Sequence, residues 1–275
     1  MKKAITEYKQ AIIIGASPMG SEESALLKLL KWAGYGEQAE HCSRDCNTCH
    51  TGCSAKIKNK DIYVVVADGG LKFLLKNGML PDFFVGDLDS VELEEIPTEK
   101  TQSDGMQTED TPTGKARPEG ALKDILKDIP KEIVPVEKDD TDMLAAIRIG
   151  LLEGCQEFRI YGGMGGRLEH TLANLQCLIY LKQCSAVGYL MDDKTTAFVM
   201  QNETVWFKPE AKGFLSLFSI GEKASGVTIR NLKYEMQDGE ITNSFPIGIS
   251  NEFIGKRSSV TVEQGMLAVI LSEKE

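Results

Sequence analysis

Short apolar runs alternate with helix-like segments along the first two thirds of the chain. Runs rich in β-branched or aromatic residues predict strands at 11–14, 62–67, 83–85 and 157–161, with a shorter one at 133–136. Continuous apolar runs of this kind are typical of parallel strands that are covered on both faces. Alternation of such strands with helices predicts an α/β fold with a mostly parallel sheet.

Amphipathic spacing predicts helices between these strands, at 21–32, 71–75, 121–129, 143–152 and 168–179. In the last two of these helices we expect the core-facing residues to be spaced three or four apart. They are Leu144, Ile147 and Leu151 in the first, and Leu172, Leu175 and Ile179 in the second.

The pattern changes after about residue 196, where short apolar runs are separated by turn residues. The predicted strands are 205–207, 213–220, 227–236, 259–262 and 266–271. Gln237-Asp238-Gly239-Glu240 has the composition of a turn. This part of the chain therefore predicts a small β domain.

Composition and charge exclude some classes of function. The chain has 275 residues, 42% of them hydrophobic and 26% charged, which is ordinary for a globular protein. A net charge of -10 argues against binding nucleic acid through bulk electrostatics. No apolar run approaches the length of a membrane span, and the run at 11–14 is too short for a signal peptide. We therefore expect a cytoplasmic protein that acts on neither nucleic acid nor membranes.

The pentapeptide Gly86-Asp87-Leu88-Asp89-Ser90 follows the predicted strand at 83–85. Residues two apart in an extended segment point to the same side, so Asp87 and Asp89 can face one ligand. Two carboxylates held together repel each other unless a cation lies between them, and Mg²⁺ is the natural occupant. Asp and Ser are also ordinary loop residues. Further acidic clusters at comparable strand ends favour the metal site.

Two further motifs place carboxylates at strand or helix ends. Asp68-Gly69-Gly70 ends the strand at 62–67, and open α/β sheets bind ligands at the carboxyl ends of their strands. Lys138-Asp139-Asp140-Thr141-Asp142 precedes the helix at 143–152. Any one of these aspartates is explained by helix capping, but capping does not require three of them beside a lysine. Lys138 is suited to pairing with phosphate oxygens.

A glycine-rich segment follows the strand at 157–161. Gly162-Gly163-Met164-Gly165-Gly166 and Arg167 offer a phosphate chain bare backbone N–H groups, a helix N-terminus and a cation. Arg167 and His170 are three residues apart, so both can face one ligand from the first helical turn. The earlier segment Gly15–Ser21 also contains glycines five apart, but it lacks the lysine of a phosphate-binding loop, and we reject it as one.

Four cysteines and two histidines lie in the short polar segment 41–53. The thiols of Cys42, Cys46, Cys49 and Cys53 can hold structural zinc or an iron–sulfur cluster. The first three also have the spacing found in radical enzymes that use S-adenosylmethionine, but no barrel for such chemistry follows. The alternative is a surface loop of idle or redox-labile thiols. A second polar insert, residues 92–118, shows almost no periodicity and is predicted to be a loop or lid.

The motifs at Asp68–Gly70, Gly86–Ser90, Lys138–Asp142 and Gly162–Asn174 together resemble those of thiamine pyrophosphokinases, in the order found in that family. The resemblance implies transfer of the pyrophosphoryl group of ATP, with Mg²⁺, to the hydroxyl of thiamine. It also implies a homodimer whose chains have a Rossmann-like α/β domain, here residues 1–195, and a C-terminal β-sandwich, residues 196–275. The cysteine segment and the 92–118 loop depart from the family pattern, and Glu169 stands where an Asp is common.

The same resemblance assigns roles to individual residues. Asp68, Asp87 and Asp89 would hold Mg²⁺, Lys138 and Arg167 would offset developing charge, and Asp139 or Asp142 would accept the proton. The residues assigned to ATP are Asp68, Gly69, Gly70, Lys138, Asp139, Thr141, Asp142, Gly163, Gly166, Arg167, His170 and Asn174. Those assigned to thiamine are Asp87, Tyr234, Ser250 and Asn251. Tyr234 would stack on the pyrimidine, and Ser250 and Asn251 would hydrogen-bond it across the dimer interface.

Two other functions remain open from the sequence. The acceptor can be another heterocyclic alcohol, for example a hydroxymethylpterin, with the architecture unchanged. The protein can also be a non-catalytic sensor that binds a nucleotide or thiamine diphosphate and signals through the cysteine segment. A sensor would bind its ligand without producing AMP.

Overall fold

The computed structural model describes residues 9–16, 61–76, 80–86, 129–133 and 140–274. These residues form three helices: α1 (Gly70–Lys76), α2 (Asp142–Leu152) and α3 (Leu168–Gln183). They also form fourteen strands: β1 (Lys9–Ile14), β2 (Ile62–Ala67), β3 (Phe83–Gly86), β4 (Lys131–Ile133), β5 (Cys155–Tyr161), β6 (Val187–Met191), β7 (Thr195–Gln201), β8 (Thr204–Phe207), β9 (Phe214–Ser219), β10 (Lys223–Arg230), β11 (Met236–Thr242), β12 (Asn251–Glu252), β13 (Ser258–Thr261) and β14 (Met266–Ser272).

Ten of these strands form one mixed sheet in the order β12-β9-β14-β7-β6-β5-β1-β2-β3-β4. The strands from β6 to β4 pair in parallel. The apolar runs predicted this for β1, β2, β3 and β5, whereas β4 lies at Lys131–Ile133 instead of 133–136. From β6 through β7, β14 and β9 to β12 the pairing is antiparallel. The α/β prediction is therefore confirmed, and the sheet continues into the C-terminal part of the chain.

Both faces of the parallel strands are buried. Ala11 and Ile13 on one face pack with Ile147 of α2 and Leu181 of α3 in a single apolar core. On the opposite face Ile12 is 1% exposed. Burial on both faces explains why these strands are continuous apolar runs rather than alternating ones.

Five of the six residues predicted to face the core from α2 and α3 pack in it or against it, and Leu172 does not. Leu172 is 54% exposed, and the buried residues of α3 are Asn174, Cys177, Leu178 and Leu181. The buried residues of α2 are Met143, Ala146, Ile147 and Gly150, whereas Leu144 and Leu151 are only partly buried. In α3 leucine recurs on more than one face, so hydrophobicity alone did not show that Leu172 is exposed.

The C-terminal part consists of antiparallel strands, as the turn-separated apolar runs predicted. A second sheet, in the order β11-β10-β13-β8, encloses an apolar core with the antiparallel part of the first sheet. The predicted strand 227–236 is wrong in extent, because β10 ends at Arg230 and β11 begins at Met236. The predicted turn at Gln237–Glu240 lies inside β11, where Asp238 has a φ of 49° and the pairing with β10 is irregular. The bulge accommodates turn-like residues within a strand.

Strands β6 and β7 were not predicted. They carry the sheet across the proposed domain boundary at residues 195 and 196 without a break, because β7 pairs with both β6 and β14. The boundary itself stays a prediction. Among the helices of the described ranges, none has both the length and the apolar character needed to cross a membrane.

Candidate functional site

Gly15, which follows β1, lies at the centre of the carboxyl edge of the parallel strands. Strand β1 has β2 on one side and β5 on the other, and open α/β sheets bind ligands in the crevice at such a point. The Gly15 N–H donates to Tyr161 O at 2.7 Å. A Cβ atom built on Gly15 would lie 2.7 Å from Gly162 O, and one built on Gly70 would lie 2.9 Å from Gly15 O. The backbones that follow β5 and β1 and that begin α1 are therefore in contact.

Asp68 extends this contact to β3. Its N–H donates to Val85 O at 2.8 Å, and a Cβ atom built on Gly86 would lie 3.1 Å from Asp68 Cα. Asp68 also has a φ of 47°, a left-handed conformation that costs a non-glycine residue about 1–2 kcal/mol. Such backbone strain is concentrated at binding and catalytic sites. Asp68 and the first residue of the Gly86–Ser90 motif thus meet at one edge of the sheet.

Several predicted residues lie outside the described ranges. They are Asp87, Asp89, Lys138, Asp139, Cys42, Cys46, Cys49 and Cys53, together with the 92–118 loop. Within the described ranges no group of three or more His, Cys, Asp or Glu side chains is placed to hold a metal ion. Of the three carboxylates predicted to hold Mg²⁺, the described ranges include only Asp68.

The first turn of α2 reaches the same edge. Met143 Cε would lie 2.8 Å from a Cβ atom on Gly15. Thr141 is the N-cap, and its Oγ1 accepts a hydrogen bond from Leu144 N at 3.2 Å. Asp140 pairs with Arg148, whose pKa is raised by a hydrogen bond to Tyr180 and by the charge of Asp140. Asp140 therefore has a structural partner, and Asp142 lies in the first helical turn.

The glycine-rich segment leads from β5 into α3. Gly162, Gly165 and Gly166 have φ values of 65°, 80° and 66°, which a side chain would disfavour. Arg167 occupies the N-cap position of α3 without a side-chain capping bond. Its guanidinium lies 3.3 Å from a carboxylate oxygen of Glu169 and contacts Nε2 of His170. These three side chains are exposed, so they are accessible to a ligand.

Asn174 holds this segment from beneath. It is 7% exposed, and its Nδ2 donates to Gly163 O at 2.7 Å. A Cβ atom on Gly163 would lie 3.2 Å from the same Nδ2, so the packing admits only glycine without a shift. Asn174 was predicted as an ATP contact, and the structure shows it bonded to the segment that would carry the phosphates.

Tyr234, Ser250 and Asn251 lie together at the far edge of the ten-stranded sheet. Tyr234 is 62% exposed, whereas Asn251 is 3% exposed and hydrogen-bonds the backbone of Tyr234. The Ser250 N–H donates to Ser216 Oγ at 2.9 Å. The structure thus brings these three predicted thiamine contacts together.

The two groups of predicted residues are far apart within one chain. Six strand-to-strand steps separate β12, which begins at Asn251, from β1, which ends beside Gly15. At about 4.8 Å per step the separation is ~29 Å. One chain alone therefore does not bring Tyr234 to the edge that carries Asp68.

Sequence reasoning missed two features of these sites. Gly15 was rejected because the segment lacks a lysine, although its position directly after the first strand was a signal. Glu252 pairs with Lys233 at 3.0 Å and with Lys274 at 2.5 Å, next to Tyr234. No sequence pattern indicated that cluster, because its members are distant along the chain.

Comparison with known proteins identifies relatives of both parts of the chain. Residues 54–117 match the family model described as thiamin pyrophosphokinase, catalytic domain. Residues 204–267 match the model described as thiamin pyrophosphokinase, vitamin B1 binding domain. A thiamine pyrophosphokinase of Bacillus subtilis (strain 168) is 28% identical over 207 residues, which cover 74% of this chain and 85% of the relative.

Solved structures share the fold at low sequence identity. The Bacillus subtilis thiamine pyrophosphokinase has a TM-score of 0.69 at 21% identity and covers 97% of this chain and 100% of its own. The Geobacillus thermodenitrificans thiamin pyrophosphokinase has a TM-score of 0.67 at 20% identity, and the match covers 97% of this chain and 98% of that protein. The yeast thiamin pyrophosphokinase has a TM-score of 0.64 at 15% identity, and the match covers 96% of this chain and 86% of that protein. The two family models, the relative that matches most of the chain and the shared fold all agree with the sequence motifs. The chain therefore belongs to the thiamine pyrophosphokinase family.

Proposed function

We propose that this protein is a thiamine pyrophosphokinase, which transfers the pyrophosphoryl group of ATP to the hydroxyl of thiamine and releases AMP. The observation that carries the proposal is the contact of four separate segments around Gly15. Asp68, Gly86, the first turn of α2 and the glycine-rich segment are distant in sequence and meet at one sheet edge. Both family models support the same activity.

The α3 side of the crevice is suited to the triphosphate of ATP. The first turn of a helix leaves backbone N–H groups without intrahelical partners, and these attract anions. Arg167 adds an exposed cation at the entry of α3. Asn174 fixes the carbonyl of Gly163 inward. We infer that this segment binds phosphate, with Gly166 and His170 at its exposed end.

The residues that would hold Mg²⁺ are Asp68, Asp87 and Asp89. The donor set fits, because it consists only of carboxylates, which a hard cation prefers, and Asp68 lies beside the residue that precedes Asp87. When bound there, Mg²⁺ would supply positive charge that neutralises part of the phosphate charge. The support comes from Asp68 and Gly86, since the other two carboxylates lie outside the described residues.

In the proposed reaction the thiamine hydroxyl oxygen forms a bond to the β-phosphorus of ATP. The bond from that phosphorus to the oxygen shared with the α-phosphate breaks, and its electron pair leaves with AMP. Lys138 and Arg167 offset the developing charge, and the hydroxyl proton passes to Asp139 or Asp142. Catalysis of this kind depends mainly on positioning and charge.

We further propose that the active unit is a homodimer. The ~29 Å between the β1 edge and the β12 edge, estimated from strand spacing, is too long for one thiamine molecule to contact both Asp68 and Tyr234. A partner subunit that supplies its β domain would complete the site. We also place the protein in the cytoplasm; the free thiols of Cys155, Cys177 and Cys184 agree with a reducing compartment.

Product analysis tests the proposal. Incubation with ATP, thiamine and Mg²⁺ should yield thiamine diphosphate and AMP in equal amounts by chromatography. Formation of ADP, or of no thiamine ester, would contradict it. A hydroxymethylpterin supplied instead of thiamine should not be converted.

Asp87→Asn and Asp89→Asn test the metal site. Each should lower kcat about 10²- to 10³-fold, the size expected when one group that stabilises transition-state charge is removed. The melting temperature should stay unchanged. Asp238→Asn, at an exposed left-handed position in β11, is the matched control and should keep full activity. Near-normal rates in either test variant would remove the metal argument.

A further inference from the structure

The segment that carries Tyr234 lies beside the segment that begins β12. Leu232 and Phe253 form an antiparallel bridge, and the Lys233 N–H donates to Glu252 O at 3.0 Å. At the next position the partner of Tyr234 is a side chain. The Tyr234 N–H donates to Oδ1 of Asn251 at 3.0 Å, and Nδ2 of Asn251 donates to Tyr234 O at 2.6 Å.

The backbone around Ser250 explains why a side chain, and not a peptide group of a neighbouring strand, bonds the backbone of Tyr234. Ser250 has a φ of 55°, which turns the chain away from the extended direction. Its N–H is directed to Ser216 Oγ at 2.9 Å. The next peptide group is therefore not placed to pair with Tyr234. The carboxamide of Asn251 has the same donor and acceptor as a peptide group and takes its place.

Asn251 is poorly placed to bind a ligand itself. The residue is 3% exposed, and its Oδ1 also accepts a hydrogen bond from Glu252 N at 2.9 Å. Both acceptor sites of Oδ1 are thus occupied by backbone N–H groups. Tyr234, by contrast, is 62% exposed while its backbone N–H and C=O are both bonded. The ring is available to a ligand and its base is held in place.

Charged side chains also hold the segment that carries Tyr234. The Glu252 carboxylate pairs with Lys233 and Lys274, and the Lys233 Nζ lies 5.7 Å from the centre of the Tyr234 ring. Hydrogen bonds from Lys274 and Lys233 lower the pKa of Glu252 below its usual value. This network ties the segment of Tyr234 to both β12 and the C-terminal end of β14.

We infer that Asn251 is a positioning residue that fixes the backbone of Tyr234 and so presets the exposed ring for the flat pyrimidine of thiamine. The inference rests on the proposed function for the identity of the ligand. It reassigns Asn251 from a thiamine contact to a residue that acts through Tyr234, and it leaves Ser250 as the neighbouring polar contact. A preset ring loses less conformational freedom when thiamine binds, so the hydrogen bonds between Asn251 and the backbone of Tyr234 contribute to thiamine affinity.

The kinetic test compares Asn251→Ala, Tyr234→Ala and the double variant. Asn251→Ala should raise the KM for thiamine about 2- to 10-fold, because the ring must then be ordered when thiamine binds, with kcat within about twofold. In the Tyr234→Ala background the same change should alter KM by less than about twofold, because residues that act as a unit are not additive. An equal effect in both backgrounds, or no effect on KM, would overturn the inference.

Asn202→Ala is the matched control. Asn202 also has a left-handed backbone, with a φ of 51°, and its Oδ1 accepts from Gly265 N at 2.9 Å between β7 and β8. Its replacement should lower the melting temperature without changing KM. If Asn251→Ala does not fold, Asn251→Asp serves instead, since it keeps the acceptor for the Tyr234 N–H and replaces the donor to Tyr234 O by a carboxylate oxygen that repels it; the same rise in KM is expected.

A second measurement does not depend on catalysis. Tyr234→Trp, made in a background with Trp32 and Trp206 replaced by Phe, places a single tryptophan at position 234. Its anisotropy should fall when Asn251→Ala is added. Unchanged anisotropy would contradict the inference that Asn251 fixes the backbone of residue 234, whether or not the variants are active. If the wild-type protein forms no thiamine diphosphate, the proposed function fails, and the anisotropy comparison still decides whether Asn251 fixes residue 234.

Discussion

Replacement of Gly15 by alanine should separate the backbones that form the floor of the crevice. The added Cβ would lie 2.7 Å from Gly162 O, whereas ordinary contact begins at 3.4 Å, so one of the two segments must move by about 0.7 Å. Met143 Cε, at 2.8 Å, is the end of a flexible side chain and can adjust. The carbonyl of Gly162 is backbone and cannot adjust without moving the segment that follows it.

Two effects of Gly15→Ala are expected. Overpacking should destabilise the fold by about 1–3 kcal/mol, which lowers the melting temperature by several degrees. A displacement approaching 1 Å at a group that positions the substrate lowers the reaction rate by up to about 10²-fold, so kcat/KM for ATP should fall about 10- to 100-fold. Thermal denaturation and steady-state kinetics at a temperature well below the melting transition measure the two effects separately.

Two glycine variants are controls for this experiment. Gly150→Ala places a Cβ 2.6 Å from Phe158 Cε1 in the core, so it should destabilise the fold similarly and keep kcat/KM. Gly221→Ala has no atom within 4 Å of the new Cβ and should change neither quantity. If Gly15→Ala keeps wild-type kcat/KM, or if Gly150→Ala loses as much activity, the Gly15 contact does not position the substrate.

Two further predictions concern buried groups in α3 and β5. Asn174→Ala removes the donor to Gly163 O, which should cost about 1–3 kcal/mol and raise the KM for ATP more than that for thiamine; equal changes in both KM values would refute the role given to Asn174. Burial raises the pKa of Cys155 and Cys177 to about 11, so neither should react with iodoacetamide at neutral pH in the native protein, whereas exposed Cys184 should react, as peptide mass spectrometry would show. Because these folded-state pKa values exceed the ordinary 9.0, the stability they contribute is present below pH 9 and lost towards pH 11; a melting temperature that stays level across this range would contradict the burial argument.

Local sequence patterns were sufficient for the parallel strands β1, β2, β3 and β5 and for the glycine motifs. An apolar run such as 62–67 is buried on both faces wherever it lies in the sheet, and the glycines after β5 are needed for their own backbone angles. These properties depend on residues within one element. The same locality explains why the motif order was enough to identify the family.

Contacts between distant segments were decided only by the tertiary structure. Helix periodicity did not show that Leu172 faces solvent, because only the position of the sheet selects the buried stripe of α3. Nothing near Asn251 in sequence indicates that it bonds the backbone of Tyr234, since the bond follows from the turn at Ser250 and the pairing of β12 with β9. Gly15 became the centre of the site for the same reason: its importance lies in three neighbouring backbones that strand pairing brings within contact distance.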